Sequence, residues 1–244
     1  MSAGNPLAYY FVGNQAEATA ISGAKGIFTG GDVSPMTKHL KKLTALTVTA
    51  AAVPLVLILC DYVMVYPLID QSITDQQDMD NTLYSLPRYT DGAGLQMIAV
   101  LNQAQVGTCT FFVTYTNQAG TSGRVTPTIT CNANTSTGTL ITSAKATSGT
   151  SGPFITLQAG DTGVRSVQSV TIVSSDAGLF NLVLVKPLAT HTIRTIDAPA
   201  ERDYLVDFPS LPRIYDGAHL NFLACPNGSL AAAPIHGDIE VVWS

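Results

Sequence analysis

Charged side chains are scarce in this chain. Only 12% of its 244 residues are Asp, Glu, Lys or Arg, against a usual share of roughly 25%. The formal net charge is −5 and the one basic tract runs from Lys38 to Lys42, so the electrostatic footprint of a nucleic-acid-binding protein is missing. Hydrophobic residues still make up 46% of the chain, enough for a substantial core. A surface poor in charge favours burial against neighbours in an assembly, because little repulsion keeps the molecules apart.

Catalytic and metal-binding motifs are also missing from the sequence. The histidines are dispersed, and there is no HExxH, GxSxG, P-loop or GxGxxG after a strand. Asp161-Thr162-Gly163 matches the triplet of retroviral-type aspartic proteases, but a turn between two strands explains the same residues. Two acidic runs lack the spacing of an EF-hand and favour solvated loops over a calcium site. The sequence therefore predicts a protein that is not an enzyme and has no cofactor or metal. The acidic runs comprise Asp70, Asp75, Asp78 and Asp80, and then Asp197, Glu201, Asp203 and Asp207.

The four cysteines lack the CxxC or Cys/His spacing of a metal site. Cys60 and Cys225 lie in apolar runs, which is typical of small buried side chains. Cys109 and Cys131 can form a disulfide if their strands are neighbours, since such a bond requires a specific geometry. Four free thiols is the favoured interpretation, and the pairing of Cys109 with Cys131 stays open at this stage.

Long, strongly apolar runs are nearly absent. The best candidate, Leu43 to Cys60, contains three threonines and Pro54, whereas a spanning helix needs about 20 strongly apolar residues. Its far end is rich in β-branched residues, so two buried strands are favoured over a membrane helix. Met1 to Tyr10 has neither the basic nor the apolar region of a secretory signal.

The chain does contain an internal repeat. The segment from Ser85 to Leu95 matches that from Ser210 to Leu220 without a gap, each with Leu-Pro-Arg followed by Asp-Gly. Upstream, Val65-Tyr66-Pro67-Leu68 echoes Val185-Lys186-Pro187-Leu188. Proline ends strand pairing and Asp-Gly makes a tight turn, so the repeat predicts a structural part. Each arginine is close enough to pair with the aspartate across its turn; binding of a carboxylate or phosphate is the alternative. The turn residues are Pro87, Arg88, Asp91 and Gly92 in the first copy and Pro212, Arg213, Asp216 and Gly217 in the second.

The remaining pattern predicts an all-β fold, a β-sandwich or jelly roll of short strands separated by polar turns. Two similar modules, about 55–101 and 178–225, flank a Thr/Ser-rich middle. We expect one sandwich domain over residues 34–244, with two independent domains as the alternative. Predicted strands include Thr108 to Thr116, Arg124 to Cys131 with an edge-favouring Pro127, Leu140 to Thr147, Phe154 to Leu157, Val167 to Val173, Leu179 to Val185 and Ile239 to Trp243.

The first 33 residues are small, Gly-rich and aperiodic, which predicts an extended arm. Its aromatic residues are candidate anchors in pockets of a neighbouring protein. Ser34-Pro35 offers an N-cap and a first helical position, so a short helix is predicted from Pro35 to about Leu43. The candidate anchors are Tyr9, Tyr10, Phe11 and Phe28.

Several of these features together resemble virion structural proteins of tailed bacteriophages. They are the Gly-rich arm, the run from Leu55 to Leu68, the segment from Leu157 to Val167 and the doubled Ser-Leu-Pro-Arg. The resemblance implies a capsid-associated role in the phage head, as a decoration or cement protein made in the host cytoplasm. It implies the major capsid protein or other virion proteins as partners, and self-association. The charge balance already argues against direct contact with nucleic acid, and the composition of Leu43 to Cys60 argues against a membrane span. A tail or neck protein is one alternative, and a surface module that binds a host carbohydrate through its Thr/Asn-rich loops is another.

Overall fold

Strands account for nearly all the regular structure of the described residues. The computed structural model describes residues 15–23, 26–133, 135–142, 152–230 and 233–244. Helical elements in these ranges include one short helix, α1 (Tyr204–Asp207), and a 3₁₀ turn at Ala50–Ala52. The prediction of an all-β, sandwich-like fold is thus confirmed. The strands are β1 (Thr19–Ala20), β2 (Lys38–Thr47), β3 (Leu55–Asp70), β4 (Gln77–Asp78), β5 (Gln96–Gln103), β6 (Thr110–Asn117), β7 (Arg124–Val125), β8 (Ile129–Thr130), β9 (Val164–Ser174), β10 (Leu179–Ile193), β11 (Ala200–Asp203), β12 (Arg213–Ile214), β13 (Leu220–Pro226) and β14 (Ile235–Trp243).

The helix predicted from Pro35 to Leu43 is wrong, because this stretch enters strand β2. Side chains along β2 alternate between buried and half-buried positions with the two-residue period of a strand, except at Lys41-Lys42. There the pairing with β14 shifts register, so Leu40 before the shift and Leu43 after it are both buried. Strand β14 pairs along the length of β2, and β11 and β12 pair with successive parts of it. This pairing satisfies the backbone groups of β2 and overrides the weak local signal for a helix.

Two strands replace the membrane candidate from Leu43 to Cys60. Its first residues belong to β2 and its last to β3, with the 3₁₀ turn between them. In the described ranges, no helix has the length and apolar character needed to cross a membrane.

The described residues form two compact units. The first comprises Ser22–Asp61 and Pro187–Ser244, and the second comprises Tyr62–Lys186 with residues 15–21. Strands β3 and β10 each contribute residues to both units. The unit boundaries therefore do not follow the boundaries of the two predicted modules.

In the first unit, the sheet around β2 packs against the beginning of β3, the end of β10 and β13. Leu40 and Leu43 of β2 share a core with Leu59 of β3 and Leu220 of β13, all of them buried. Strand β13 pairs with β3 from Leu220↔Asp61 to Pro226↔Leu55. Burial of these aliphatic side chains holds the two layers together.

In the second unit, two sheets enclose a larger core. One sheet contains β4, β9, β6 and the short strands β7 and β8, and the other contains β1, β3, β10 and β5. Phe111 of β6 and Phe180 of β10 meet in this core with ring centroids 5.0 Å apart. Pro127 lies between β7 and β8, in agreement with the interruption predicted there.

The middle of the chain follows the predicted strands only in part. Strands β6 and β9 lie where alternation predicted them. The stretch from Phe154 to Leu157 is not a strand, although the Ile155 amide donates to the Met97 carbonyl at 2.8 Å. Leu140 makes a single bridge to Val100, and residues 143–147 of that predicted strand lie outside the described residues.

Part of the predicted arm contributes to the second unit. Strand β1 pairs with β3 through Thr19↔Val65 and Ala20↔Met64. The side chains of Ala18 and Ile21 are buried. Residues 15–21 are therefore integral to this core and do not behave as a separate extension. Tyr9, Tyr10 and Phe11 lie outside the described residues.

The two copies of the repeat exchange strands. Cys60 of β3 pairs with Asn221 of β13, while Val185 of β10 pairs with Gln96 of β5. The residue spacing that aligns Leu95 with Leu220 also aligns Gln96 with Asn221 and Cys60 with Val185. The leading strand of each copy thus pairs with the trailing strand of the other copy, in the same register. The upstream alignment of Val65 with Val185 is therefore corrected, since Cys60 is the structural counterpart of Val185.

Candidate functional site

The first Leu-Pro-Arg turn directs its arginine into the second unit. Arg88 is 7% exposed, and its guanidinium donates to the carbonyls of Ile21 and Tyr62 at 3.2 and 3.0 Å. Asp91 accepts the amide of Ala93 at 3.0 Å. Gly92 adopts φ +74°, and an added Cβ would lie 2.6 Å from the Val164 carbonyl oxygen. Because Arg88 is buried, this copy does not offer an accessible arginine for an anion.

The second turn leaves its arginine at the surface of the first unit. Arg213 is exposed, and its guanidinium lies 4.1 Å from the centre of the Tyr215 ring. Asp216 accepts the amides of Val33 and Ser34, each at 3.1 Å. The buried ammonium of Lys38 lies 3.7 Å from the same carboxylate and also donates to the Gly31 carbonyl. Asp216 therefore fixes the approach to β2.

Two further side chains tie the leading strands to these turns. Asp61, at the end of the β3 segment in the first unit, is fully buried and accepts the His219 amide at 2.9 Å. Its counterpart in the repeat is Lys186 of β10, whose ammonium donates to the Ala93 carbonyl at 2.9 Å. A carboxyl group and an ammonium group thus occupy equivalent positions. Lys186 bonds the alanine of the facing Asp-Gly-Ala turn, and Asp61 bonds the residue that follows it.

A depression adjoins each turn. In the second unit it has a volume of about 380 Å³ and is lined by residues that include Tyr84, Leu86 and Arg165. In the first unit it has a volume of about 460 Å³, with Phe28 and Gly217 among its lining residues. Both volumes fall within the range of small-ligand pockets.

Asp161 of the Asp-Thr-Gly triplet is the centre of a hydrogen-bond network. Its carboxylate accepts from Tyr115, Asn117 and Arg124 at 2.6, 2.7 and 2.9 Å, and its side chain is 3% exposed. The Arg124 guanidinium beside it lowers the pKa of Asp161 to about 2. Burial, reinforced by the bond to Asp161, raises the pKa of Tyr115 to about 12. A carboxylate saturated in this way holds the loop before β9 in place.

The acidic runs have local structural roles. Asp70 and Asp80 accept the amides of Ser72 and Thr82, each at 2.8 Å. Asp203 caps α1, and Glu201 lies 2.8 Å from the Lys42 ammonium. Among the described residues, no group of three or more His, Cys, Asp or Glu side chains is arranged to hold a metal ion.

All four cysteines are free thiols. Cys60, Cys109 and Cys131 are buried, and Cys225 is half-buried. Burial raises the pKa of Cys60 and of Cys225. Cys109 and Cys131 are in contact, with their sulfur atoms 2.7 Å apart, which answers the question of proximity that the sequence left open.

Helix α1 presents exposed apolar side chains on the first unit. Leu205 is 58% and Val206 79% exposed. Next to them, the Phe208 ring stacks on Tyr204 at 5.2 Å and lies under the Arg202 guanidinium at 4.6 Å. The Asp203 carboxylate accepts the amides of Leu205 and Val206 and so fixes the start of this helix. We call residues 202–208 the α1 patch.

Comparison of the chain with protein-family models, curated proteins and solved structures gave no match.

Sequence reasoning found the repeated turns but missed the α1 patch. The four residues Tyr204–Asp207 are too few to show the periodicity of a helix. Their apolar side chains are equally typical of a short buried segment. The signal that was present is Asp203 in an N-cap position before Leu205 and Val206. Of the predicted arm anchors, Phe28 is 83% exposed.

Proposed function

We propose that this chain is a non-enzymatic structural protein of a phage virion, one that binds the head shell as a decoration or cement protein. The resemblance of the arm and the doubled Ser-Leu-Pro-Arg segments to tailed-phage structural proteins supports the class. In this proposal the chain bridges subunits of the major capsid protein and self-associates on the shell. A tail or neck position is the nearest alternative.

The observation that carries the proposal is the number of large apolar side chains in contact with solvent. Monomeric proteins tolerate such residues singly, whereas groups of them mark surfaces that bind partners. Charged residues make up only 12% of the whole chain. The exposed apolar residues include Phe28, Leu205, Val206 and Trp243 in the first unit and Leu83, Val106 and Val173 in the second.

The α1 patch has the composition of a binding surface. Interfaces are enriched in aromatic residues and arginine, and their strongest contacts come from rigid anchors. The stack of Arg202, Phe208 and Tyr204 supplies rigidity before binding, so little side-chain entropy is lost on association. Leu205 and Val206 then add apolar area that a partner can bury.

The arm adds a second group of contacts in this proposal. Tyr9, Tyr10, Phe11 and Phe28 would anchor it to a neighbouring capsid subunit. Since residues 15–21 belong to the core of the second unit, the part available for this role is what precedes them, together with the surroundings of Phe28.

Sedimentation with phage heads that lack the protein tests the proposal. We expect the purified chain to pellet with the heads at a fixed stoichiometry and to stay in the supernatant alone. Replacing Leu205 and Val206 by Ser should lower occupancy at least tenfold without changing the melting temperature. Thr192→Ala, a change at a polar position of β10, is the matched control and should leave occupancy unchanged.

A soluble protein that ignores heads would overturn the capsid assignment. Binding to purified tails instead would support the tail or neck alternative. Binding to immobilised host polysaccharide, with no binding to either particle, would support the surface-binding module.

A further inference from the structure

The positions of Cys109 and Cys131 follow from the pairing of two strands. Strand β8 pairs antiparallel with β6 through Thr110↔Thr130 and Phe111↔Ile129. The next pair in this register is Cys109 with Cys131, and the Cys131 amide donates to the Cys109 carbonyl at 2.8 Å. Residues directly opposite on antiparallel strands have Cβ atoms about 4.5–5.5 Å apart, at or slightly above the roughly 3.5–4.5 Å of a disulfide. The two sulfur atoms are already 2.7 Å apart.

Their side chains turn to the same side of the sheet. Cys109 is 0% and Cys131 1% exposed, and both belong to the core of the second unit. The other two cysteines lack this arrangement, because Cys60 pairs with Asn221 and Cys225 with Val56. The chain therefore holds one cross-strand thiol pair and two separate thiols that serve as internal controls.

We propose that Cys109 and Cys131 are a site of oxidative modification, where an intrachain disulfide forms when the protein meets a low-molecular-weight disulfide. The bond would close a loop over residues 109–131 that contains β6, β7 and β8. This inference does not rest on the proposed function.

The reaction is a thiol–disulfide exchange in two steps. One cysteine thiolate attacks a sulfur of oxidised glutathione, which releases one glutathione thiolate and leaves a mixed disulfide. The second cysteine thiolate attacks the protein sulfur of this mixed disulfide and releases the second glutathione. Two S–H bonds are lost and one S–S bond forms, while glutathione takes up the two electrons and both protons.

Access to the buried thiols requires local opening of the sheet edge. Strands β7 and β8 contain two residues each and pair only with β6 among the described strands. Short strands at an edge open at a lower free energy than the core of a domain. The oxidation rate should therefore follow the opening of β8 and not global unfolding.

The experiment uses the full chain with Cys60→Ala and Cys225→Ser. The folded variant is incubated with oxidised glutathione, quenched in acid, unfolded and treated with iodoacetamide. We expect a mass about 2 Da below that of the dithiol form and no alkylation, with both thiols recovered after reduction. The oxidised form should also melt about 5 °C higher, because the closed loop restricts the unfolded chain.

Two matched measurements decide the outcome. Adding Cys131→Ala should stop the reaction at a glutathione adduct or at a free, alkylated Cys109. Peptide mapping of the wild-type chain checks the linkage should the double substitution impair folding. Alkylation of both thiols in the folded, glutathione-treated protein, or bonds from either residue to Cys60 or Cys225, would overturn the proposal.

Discussion

The two copies of the Leu-Pro-Arg turn share their sequence but place their arginines in opposite surroundings. Arg88 is buried and donates to two core carbonyls, whereas Arg213 is exposed and stacks on Tyr215. Their glycines agree, with φ +74° at Gly92 and +70° at Gly217. What the copies have in common is the backbone of the turn. The contacts of each side chain depend on what packs against that turn.

A similar contrast holds for the strand residue that forms a hydrogen bond at each turn. Asp61 and Lys186 occupy equivalent strand positions, where a carboxyl group bonds a backbone amide in one copy and an ammonium group bonds a backbone carbonyl in the other. Either group can do this, because the backbone at and just after the turn offers both donors and acceptors. The repeat therefore preserves a contact without preserving its chemistry.

The largest expected difference between the copies is at the arginines. Arg88→Ala should lower the free energy of unfolding by about 4 kcal/mol, because it leaves buried carbonyls without donors and opens a cavity. Arg213→Ala should cost at most about 0.5 kcal/mol, since it removes one exposed contact with an aromatic ring. Urea denaturation followed by circular dichroism measures both. Equal losses of stability in the two variants would contradict the assignment of Arg88 as a structural and Arg213 as a surface arginine.

The glycines of the two turns separate the effect of a steric clash from the effect of backbone strain. Gly92→Ala should lower the free energy of unfolding by about 3 kcal/mol. The added Cβ would clash with the backbone at Val164, and alanine is also unfavourable at this positive φ. Gly217→Ala has the same φ but no atom within 4 Å of the added Cβ, so about 1 kcal/mol is expected from strain alone. Thermal unfolding of the two variants side by side tests this, and a larger loss at Gly217 would contradict it.

The strand residues are expected to differ less. Asp61→Ala removes a buried acceptor from the His219 amide and should cost about 2 kcal/mol. Lys186→Ala breaks a partly solvated bond to Ala93, and water can replace it, so about 0.5 kcal/mol is expected. Hydrogen exchange at the His219 amide gives a local readout. Unchanged protection of this amide in the Asp61 variant would show that the bond contributes little.

The smallest expected difference is at the aspartates of the turns. Asp216→Ala removes the acceptor of two amides and a neighbour of Lys38, and should lower the free energy of unfolding by about 1 kcal/mol. Asp91→Ala removes the acceptor of a single exposed amide, and should lower the free energy of unfolding by about 0.3 kcal/mol. Chemical denaturation with replicate curves resolves such values. Asp216→Asn is the control, since it keeps an acceptor oxygen and should recover part of the loss.

The sequence was sufficient to predict the fold class and the turns. Alternation of apolar residues placed β6 and β9, and Gly at Asp-Gly positions predicted the positive φ that both turns adopt. These features are local, since they depend on residues within a few positions of each other.

Features that depend on distant partners were not predictable in the same way. Lys38 to Leu43 is a strand because β14, β11 and β12 pair with it, although Ser34-Pro35 begins like a helix. The burial of Arg88 depends on carbonyls of Ile21 and Tyr62 that no spacing in the sequence connects to it. The exchange of strands between the copies likewise follows from register and could not be read from the repeat.

That exchange has a consequence for the order of events on the ribosome. The beginning of β3 pairs with β13, so Leu55 to Asp61 emerges long before its partner is made. Until Leu220–Pro226 has left the exit tunnel, this apolar stretch has an unpaired edge, and such edges attract other chains and chaperones. Slowing translation between the two copies should therefore raise aggregation, while the same pause before Leu55 has been made should not.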